Sequence, residues 1–190
     1  MKLHPIFAAT AALALAACGG YYQAEAPRST ADLYIVPADA DLVQVNYAAT
    51  ERLISLSGDY VDPRKTILIT TLANVDNLDQ SSTLGRLTSE QIAARMGQMG
   101  YTVMDVNLRS SMAVNANGQF MLSRDLRQLA QQHSAQAAVV GTYATGAREV
   151  YVNLRLVRLS DSRVISSFNY SLPKGRNTDS LLRSASSTRR

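Results

Sequence analysis

The sequence predicts one α+β domain, α/β-like in its first part, in which helices pack on a single mixed five-stranded sheet. Between residues 65 and 143, three strand-like runs alternate with two amphipathic helical segments. Right-handed crossovers would make those three strands parallel. The last two connections are too short for a crossover, so the final strands must form antiparallel hairpins. The predicted order is therefore β-α-β-α-β followed by an antiparallel β meander, with one further helix in front.

The leading helix is predicted to run from Asp39 or Asp41 to about Leu56. Either aspartate can cap the first turn, and Gly58 ends the helix. Apolar residues recur at spacings of three and four, which places them on one helical face. These residues are Leu42, Val45, Ala49, Leu53 and Leu56.

A β-branched and apolar run over 65–72 predicts a strand that is buried on both faces. After a polar loop at 74–80, the hydroxyl residues at 81–83 are candidate caps for a second helix. Gly100 ends that helix, because glycine readily adopts the left-handed conformation found after a helix. Its predicted core-facing residues are Leu84, Leu87, Ile92, Met96 and Met99.

Four further strands are predicted at 101–108, 137–143, 149–159 and 164–170. A third helix begins at Ser123, and a short one is predicted around 179–184. In the strand at 149–159, the alternation of apolar and polar residues breaks at Val157 and Arg158, which predicts a β-bulge.

Residues 1–17 have the pattern of a secretory signal that ends at a lipid-attachment site. Lys2 precedes an apolar run over 6–14 that is too short to span a bilayer. Leu15-Ala16-Ala17-Cys18 then places the only cysteine of the 190 residues where bacterial lipoproteins are acylated. A plain signal peptide with an incidental cysteine is the alternative.

Acylation of Cys18 would anchor the chain in the lipid of the outer membrane, facing the periplasm. Outer-membrane sorting is expected because Gly19, rather than an aspartate, follows the cysteine. The predicted organisation is a signal peptide over 1–17, a lipidated flexible tether over 18–38, a folded domain over 39–173 and a polar basic tail over 174–190.

Charge and composition exclude several classes of function. The net charge is +4, and 46% of the residues are hydrophobic, as in ordinary globular proteins. The arginines are scattered between acidic residues rather than grouped in a stripe, so we predict a solvated basic surface and no binding of nucleic acid.

The residue types needed for catalysis are mostly missing. After signal removal, His133 is the one histidine and no thiol remains free, so acyl transfer and zinc binding lack their usual residues. Asp76 and Asp79 belong to an oxygen-rich loop without the order of a calcium loop, which favours ordinary turns. Arg86 and Glu90 lie four residues apart and predict a surface pair. We therefore predict no catalytic residue, no metal, no cofactor and no enzyme.

Residues 65–173 resemble the FlgO domain. The matching segments are TTLANVDNL (70–78), SSTLGR (81–86), SEQI (89–92), GYTV (100–103), LRS (108–110), LSR (122–124), AVVGTY (138–143), VNLRLV (152–157) and YSLP (170–173). The resemblance implies a non-enzymatic outer-membrane lipoprotein, a structural or interaction component associated with the flagellum and motility. It also implies a fold similar to those of the TolB amino-terminal domain and CsgG.

The resemblance implies an envelope protein as the partner, with a flagellar component as one candidate. A TolB- or CsgG-like component of an outer-membrane secretion or assembly complex, unrelated to flagella, is the alternative. Segment 109–122 bears on this choice because it places apolar residues around a turn at 115–118. Ser111, Met112, Val114, Phe120 and Met121 either form a partner surface or a pore element, or are buried against the sheet, which we favour.

Overall fold

A computed structural model describes residues 38–106, 112–114 and 120–183 of the chain. The elements in chain order are α1 (Leu42–Ser55), β1 (Ile67–Thr70), β2 (Ala73–Asn74), α2 (Thr83–Gln98), β3 (Val103–Val106), β4 (Met112–Val114), β5 (Phe120–Leu122), α3 (Arg124–Gln132), β6 (Ala137–Thr145), β7 (Glu149–Arg158), β8 (Val164–Pro173) and α4 (Arg176–Arg183).

The main sheet has the strand order β3-β1-β6-β7-β8. Strands β1, β3 and β6 are parallel, whereas β7 is antiparallel to both of its neighbours. The predicted fold class, with three parallel strands followed by an antiparallel meander, is confirmed. The two-residue β2 adds a sixth strand to the sheet, because the chain continues beyond β1 alongside β6.

The segment that separates β3 from α3 contains a hairpin that the sequence did not predict as strands. Strands β4 and β5 pair antiparallel in a sheet of their own. The predicted turn at 115–118 lies outside the described residues, as do the side chains that we weighed as a partner surface. The next residue of known environment, Leu122, is buried in the core.

Two hydrophobic cores lie on opposite faces of the sheet. The larger one packs β1, β6, β7 and β8 against α1 and α2, and Leu181 and Leu182 of α4 contact it. The smaller one lies under α3, where Leu126 and Ala130 contact the other face of the parallel strands. All four residues of β1 are fully buried, because helices cover both of its faces. The predicted doubly buried strand is thus confirmed.

The predicted bulge in β7 is also confirmed. The pairing register with β8 shifts between Leu156 and Val157. Both side chains are buried although they are adjacent in the strand. Leu156 packs in the larger core and Val157 in the smaller one.

Helix α1 begins as predicted, with the Asp41 side chain accepting a hydrogen bond of 3.0 Å from the Gln44 N–H. Asp39, the alternative cap, serves a different helix. Its carboxylate accepts hydrogen bonds from the N–H groups of Asn177 and Thr178 in the first turn of α4, at 2.9 and 3.0 Å. The residues before α1 therefore fix the start of α4, about 140 residues later.

Helix α1 runs antiparallel to β8 along most of the strand. Near the start of α1, Asp39 contacts Gly175 and the first turn of α4. Further along, Asn46 bonds to Tyr170, and the Leu53 carbonyl accepts from the Ser166 hydroxyl. Residue 38, where the described part of the chain begins, therefore lies near the end of the domain where β8 terminates.

We expect Asp39→Ala to lower the thermal midpoint at neutral pH, because α4 loses the carboxylate that caps it. Hydrogen bonds from the backbone N–H groups of Thr178 and Asn177 hold the pKa of Asp39 below its ordinary value of 3.8. The native carboxylate therefore binds a proton less readily than the unfolded one. Its stabilisation is fully present above the unfolded pKa and is lost as the pH falls through the lowered, folded pKa.

The measurement is thermal unfolding of wild type and Asp39→Ala across a pH series from neutral to strongly acidic. The difference between their midpoints should be constant near neutrality and shrink towards zero in acid. Asp41→Ala, which removes the cap of α1 instead, is the matched control. A difference that is unchanged at the acid end would contradict a role for the ionised carboxylate.

Candidate functional site

The predicted lipidation site, Cys18, lies outside the described residues, so acylation there stays a prediction. Within the described residues, no helix is long and apolar enough to cross a membrane. The candidate sites that the structure can describe are therefore all on the folded domain.

The carboxyl ends of β1 and β6 are where an open α/β sheet usually binds a ligand, and here this crevice is filled by the chain itself. Leu72, directly after β1, is tied to α2 through both main-chain groups. Its N–H donates to the Ser89 hydroxyl at 3.0 Å, and its carbonyl accepts from the Ser81 hydroxyl at 2.6 Å. The Ser89 hydroxyl in turn donates to the Gly85 carbonyl at 2.9 Å.

Gly85 allows the start of α2 to approach this junction closely. A Cβ atom at residue 85 would lie 2.7 Å from the Leu72 carbonyl oxygen and 3.0 Å from the ring of Tyr143. Tyr143 is only 4% exposed, and its carbonyl accepts a hydrogen bond from the Val75 N–H at 2.9 Å. We call the set Leu72, Ser81, Gly85, Ser89 and Tyr143 the β1–α2 lock. These side chains join the end of β1 to the start of α2 at this edge of the sheet.

The oxygen-rich loop forms the turns that the sequence favoured. The side-chain carbonyl of Asn74 accepts from the Asp76 N–H at 2.9 Å, and that of Asn77 accepts from the Asp79 N–H at 3.2 Å. Asparagine thus takes the side-chain acceptor position of both turns. Among the described residues, no group of three or more histidine, cysteine, aspartate or glutamate side chains could hold a metal ion.

The remaining charged candidates lie on the surface. His133 is the exposed residue that follows α3, and its N–H donates to the Leu129 carbonyl at 3.0 Å. Arg86 donates to the Thr83 hydroxyl at 3.0 Å, so the surface pair with Glu90 that we predicted is not formed. The competing hydroxyl lies three residues away, on the same side of the helix.

Sequence reasoning missed a buried polar cluster around Asn46, which has no exposed surface. The Asn46 side-chain NH₂ donates to Gln91 at 2.6 Å and lies 3.4 Å from the Thr88 hydroxyl. Its side-chain carbonyl accepts from the Tyr170 hydroxyl at 2.5 Å. Burial raises the pKa of Tyr170 far above its ordinary value of 10.0, so this hydroxyl is neutral and donates. A polar residue inside the otherwise apolar stripe of α1 was the available signal.

A groove of about 850 Å³ lies at the other end of the sheet, where β6 begins and β7 ends. The ring of Tyr60, which is 70% exposed, lies 5.6 Å from the guanidinium carbon of Arg158. Arg158 also pairs with Asp161 at 3.2 Å, and Arg127 lines the same groove. Arginine and tyrosine side chains open to solvent are typical of surfaces that bind proteins.

A second feature is the face of β7 and β8 opposite α1, which none of the described helices covers. We call it the open face. Tyr151, 52% exposed, pairs across the strands with Ser171, and Asn153 pairs with Asn169. Helix α3 contacts only the part of this face that belongs to β1, β3, β6 and the end of β7. The open face is polar, so it is stable in water without a covering layer.

The fold is similar to those of several solved structures. The C-terminal domain of LpoB from Salmonella enterica is similar in structure, with a TM-score of 0.51 at 14% identity over 71% of this chain and 100% of that domain. The lipoprotein GNA1162 from Neisseria meningitidis is 22% identical over 60% of this chain and 85% of that one, with a TM-score of 0.39. PelC from Paraburkholderia phytofirmans, a dodecamer, is 16% identical over 62% and 76%, with a TM-score of 0.41.

The sequence profile of the FlgO protein family matches residues 47–177, which include all the described strands and the helices α2 and α3. The chain therefore belongs to the FlgO family. No curated protein matches its sequence. The family match supports an outer-membrane lipoprotein.

We expect Gly85→Ala to destabilise the domain by about 1–3 kcal/mol, the usual cost of overpacking a tight site. The new Cβ would lie 2.5 Å from the Ser81 hydroxyl oxygen and 2.7 Å from the Leu72 carbonyl. Urea unfolding measures the effect through the midpoint at constant slope.

Gly97→Ala in the same helix is the matched control. No atom lies within 4 Å of a Cβ placed there, and alanine is the better helix former by roughly 1 kcal/mol. This variant should be as stable as wild type or more stable. Equal stability of both alanine variants would show that the β1–α2 lock tolerates a side chain.

Proposed function

We propose that this protein is a lipid-anchored outer-membrane lipoprotein that works as a structural or interaction component of the flagellum and is needed for normal motility. The observation that carries the proposal is the FlgO family match over residues 47–177. The sequence around Cys18, which has the pattern of a lipoprotein signal, supports the anchor.

The structural role of the segments that match the family also supports a function in binding rather than catalysis. The segments over 70–78, 81–86 and 89–92 contain most of the β1–α2 lock, whose side chains bond to main-chain groups of the same chain. Residues that close the usual ligand crevice are not free to act on a substrate. The surfaces left for a partner are the open face and the groove near Tyr60.

The proposed anchor determines where such a partner can lie. Each buried methylene contributes about 0.8 kcal/mol, so two or more acyl chains on Cys18 would hold the protein stably at the membrane. The tether over 18–38 would reach roughly 25 Å as a flexible coil. The partner must therefore be an envelope component near the periplasmic face of the outer membrane.

Cys18→Ala should abolish lipid attachment. Metabolic labelling with a fatty-acid analogue should label wild type and leave the alanine variant unlabelled. His133→Ala, a change at an exposed residue of the folded domain, is the control that should label like wild type. Incorporation of the analogue into Cys18→Ala would place the lipid elsewhere and refute the proposed anchor.

Deletion of the gene should reduce swimming in soft agar without slowing growth. Wild type should restore swimming, and Cys18→Ala should restore it poorly because the soluble form diffuses away from the membrane. His133→Ala and the pair Asp76→Asn with Asp79→Asn should restore it fully, since none of these side chains belongs to a site for chemistry in the described structure.

Normal swimming of the deletion strain, in an organism without a second homologue, would refute the flagellar role. A deletion that instead impairs protein export across the outer membrane would replace it with a role in a secretion or assembly complex. Fractionation completes the test, because the wild-type chain should be found with outer membranes or flagellar basal structures.

A further inference from the structure

Strand β8 forms one edge of the sheet, and its free side carries main-chain groups without a partner among the described residues. The Lys174 N–H donates to the Arg148 carbonyl at 2.9 Å, which shows which residues of β8 form hydrogen-bonded pairs with β7. Alternate residues of an antiparallel strand bond to the same neighbour. The N–H and C=O groups of Ser167, Asn169 and Ser171 therefore point away from β7, and all three residues are exposed.

This edge lacks the features by which proteins usually prevent strand pairing. Charged side chains, prolines and bulges commonly protect exposed edges. The ten residues of β8 include no charged residue, and the only proline is the last residue, Pro173. The register shift opposite Val164 leaves the stretch from Ser166 onward regularly paired. The free edge is therefore a regular strand of about seven residues.

Helix α1 lies next to the free edge of β8, on the side of the sheet that the helices cover. It packs over β7 and β8, with α2 on its inner side, where Arg95 of α2 pairs with Glu51. The side of α1 away from Glu51 carries Val45, which is half-buried, and the exposed residues Ala48, Arg52 and Leu56. We call these four residues the outer flank. Leu56 was predicted to face the core, but it is 46% exposed, because it lies on this flank.

We propose that the free edge of β8 pairs with β8 of a second copy of this chain, antiparallel and with Asn169 on the two-fold axis. Asn169 then faces Asn169 of the other copy, and Ser167 faces Ser171. Each hydrogen-bonded pair exchanges two main-chain bonds, and the two sheets become one. Because β8 is uncharged, no like charges meet along the new junction.

The contacts of α1 fit this arrangement. Hydrogen bonds place Asn46 of α1 beside Tyr170 of β8, and Leu53 beside Ser166. Between these two points, the part of α1 beside Asn169 is near Ala48. The two-fold axis at Asn169 therefore passes close to Ala48, which is a small residue. Since α1 lies over β7 and β8, the two copies of α1 would run side by side at about 10 Å, the usual packing distance of helices. Arg52 of one copy would then lie near Asp41 at the start of the other, which gives the contact complementary charge.

Disulfide trapping of the full-length chain in detergent tests the proposal. In Asn169→Cys the two new thiols would face each other across the axis, at the Cα separation of about 5.5 Å that a disulfide accepts. A mild oxidant should convert this variant to a covalent dimer. Asn153→Cys is the matched control on the same face, one strand further in, where three strand spacings separate the thiols by about 14 Å. It should form no covalent dimer, and neither should wild type, whose Cys18 is the only other cysteine.

The register has its own test. Ser167→Cys and Ser171→Cys should each form no covalent dimer alone, because each thiol would face a serine, and a mixture of the two should form a mixed disulfide. In a separate arm without added thiols, Asn169→Lys and Asn169→Asp place like charges on the axis, and each should be monomeric by light scattering. Mixing these two should restore the dimer. Trapping of Asn153→Cys as strong as that of Asn169→Cys, or Asn169→Lys with the wild-type mass, would overturn the proposal.

Discussion

The buried side-chain amide of Asn46 joins three elements that are far apart in the sequence. Within α1, Asn46 forms hydrogen bonds only through its backbone, whose carbonyl accepts from the Thr50 hydroxyl. Its side chain holds α2 through Gln91 and β8 through Tyr170. Because Asn46 is fully buried, loss of any of these partners would leave a polar group unsatisfied, at a cost of about 1–3 kcal/mol. Helices α1 and α2 therefore have one preferred position over the sheet, and the level of α1 along β8 is fixed by a directional bond in addition to apolar packing.

The polar bonds of the β1–α2 lock have the same effect at the crevice where many α/β proteins bind ligands. Sequence segments that identify the family are used there to join a strand end to a helix start, through hydroxyl groups that fit main-chain partners. A family signature whose residues hold the fold together indicates a shared architecture. Recognition is then left to other surfaces of the domain, such as the arginine-lined groove and the polar open face, which lie at different places.

Periodicity and caps predicted most of the fold, and particular residues show where this kind of reasoning ends. The strands β1, β3, β6, β7 and β8, their parallel and antiparallel pairings, the bulge at Leu156 and the caps at Asp41, Ser82 and Ser123 follow from local patterns. The role of Asp39 does not, because its partner helix is more than 130 residues away. The burial of Asn46 and the exposure of Leu56 likewise depend on which side of α1 faces α2 and which faces the sheet edge. The helical pattern alone does not contain that information. The site on Cys18 rests on the sequence alone.

The antiparallel course of α1 along β8 has a mechanical consequence for a chain held by a membrane anchor. If the chain is anchored at Cys18 as proposed, tension would enter the domain at residue 38, beside the end of β8, and part of it would act along the axis of α1. The contacts at Asn46 and Leu53 would then be loaded together in shear instead of opening one after another. The carboxylate of Asp39 would pass part of the force to α4 through two main-chain bonds. Such a geometry suits a domain that must stay folded while an attached structure moves.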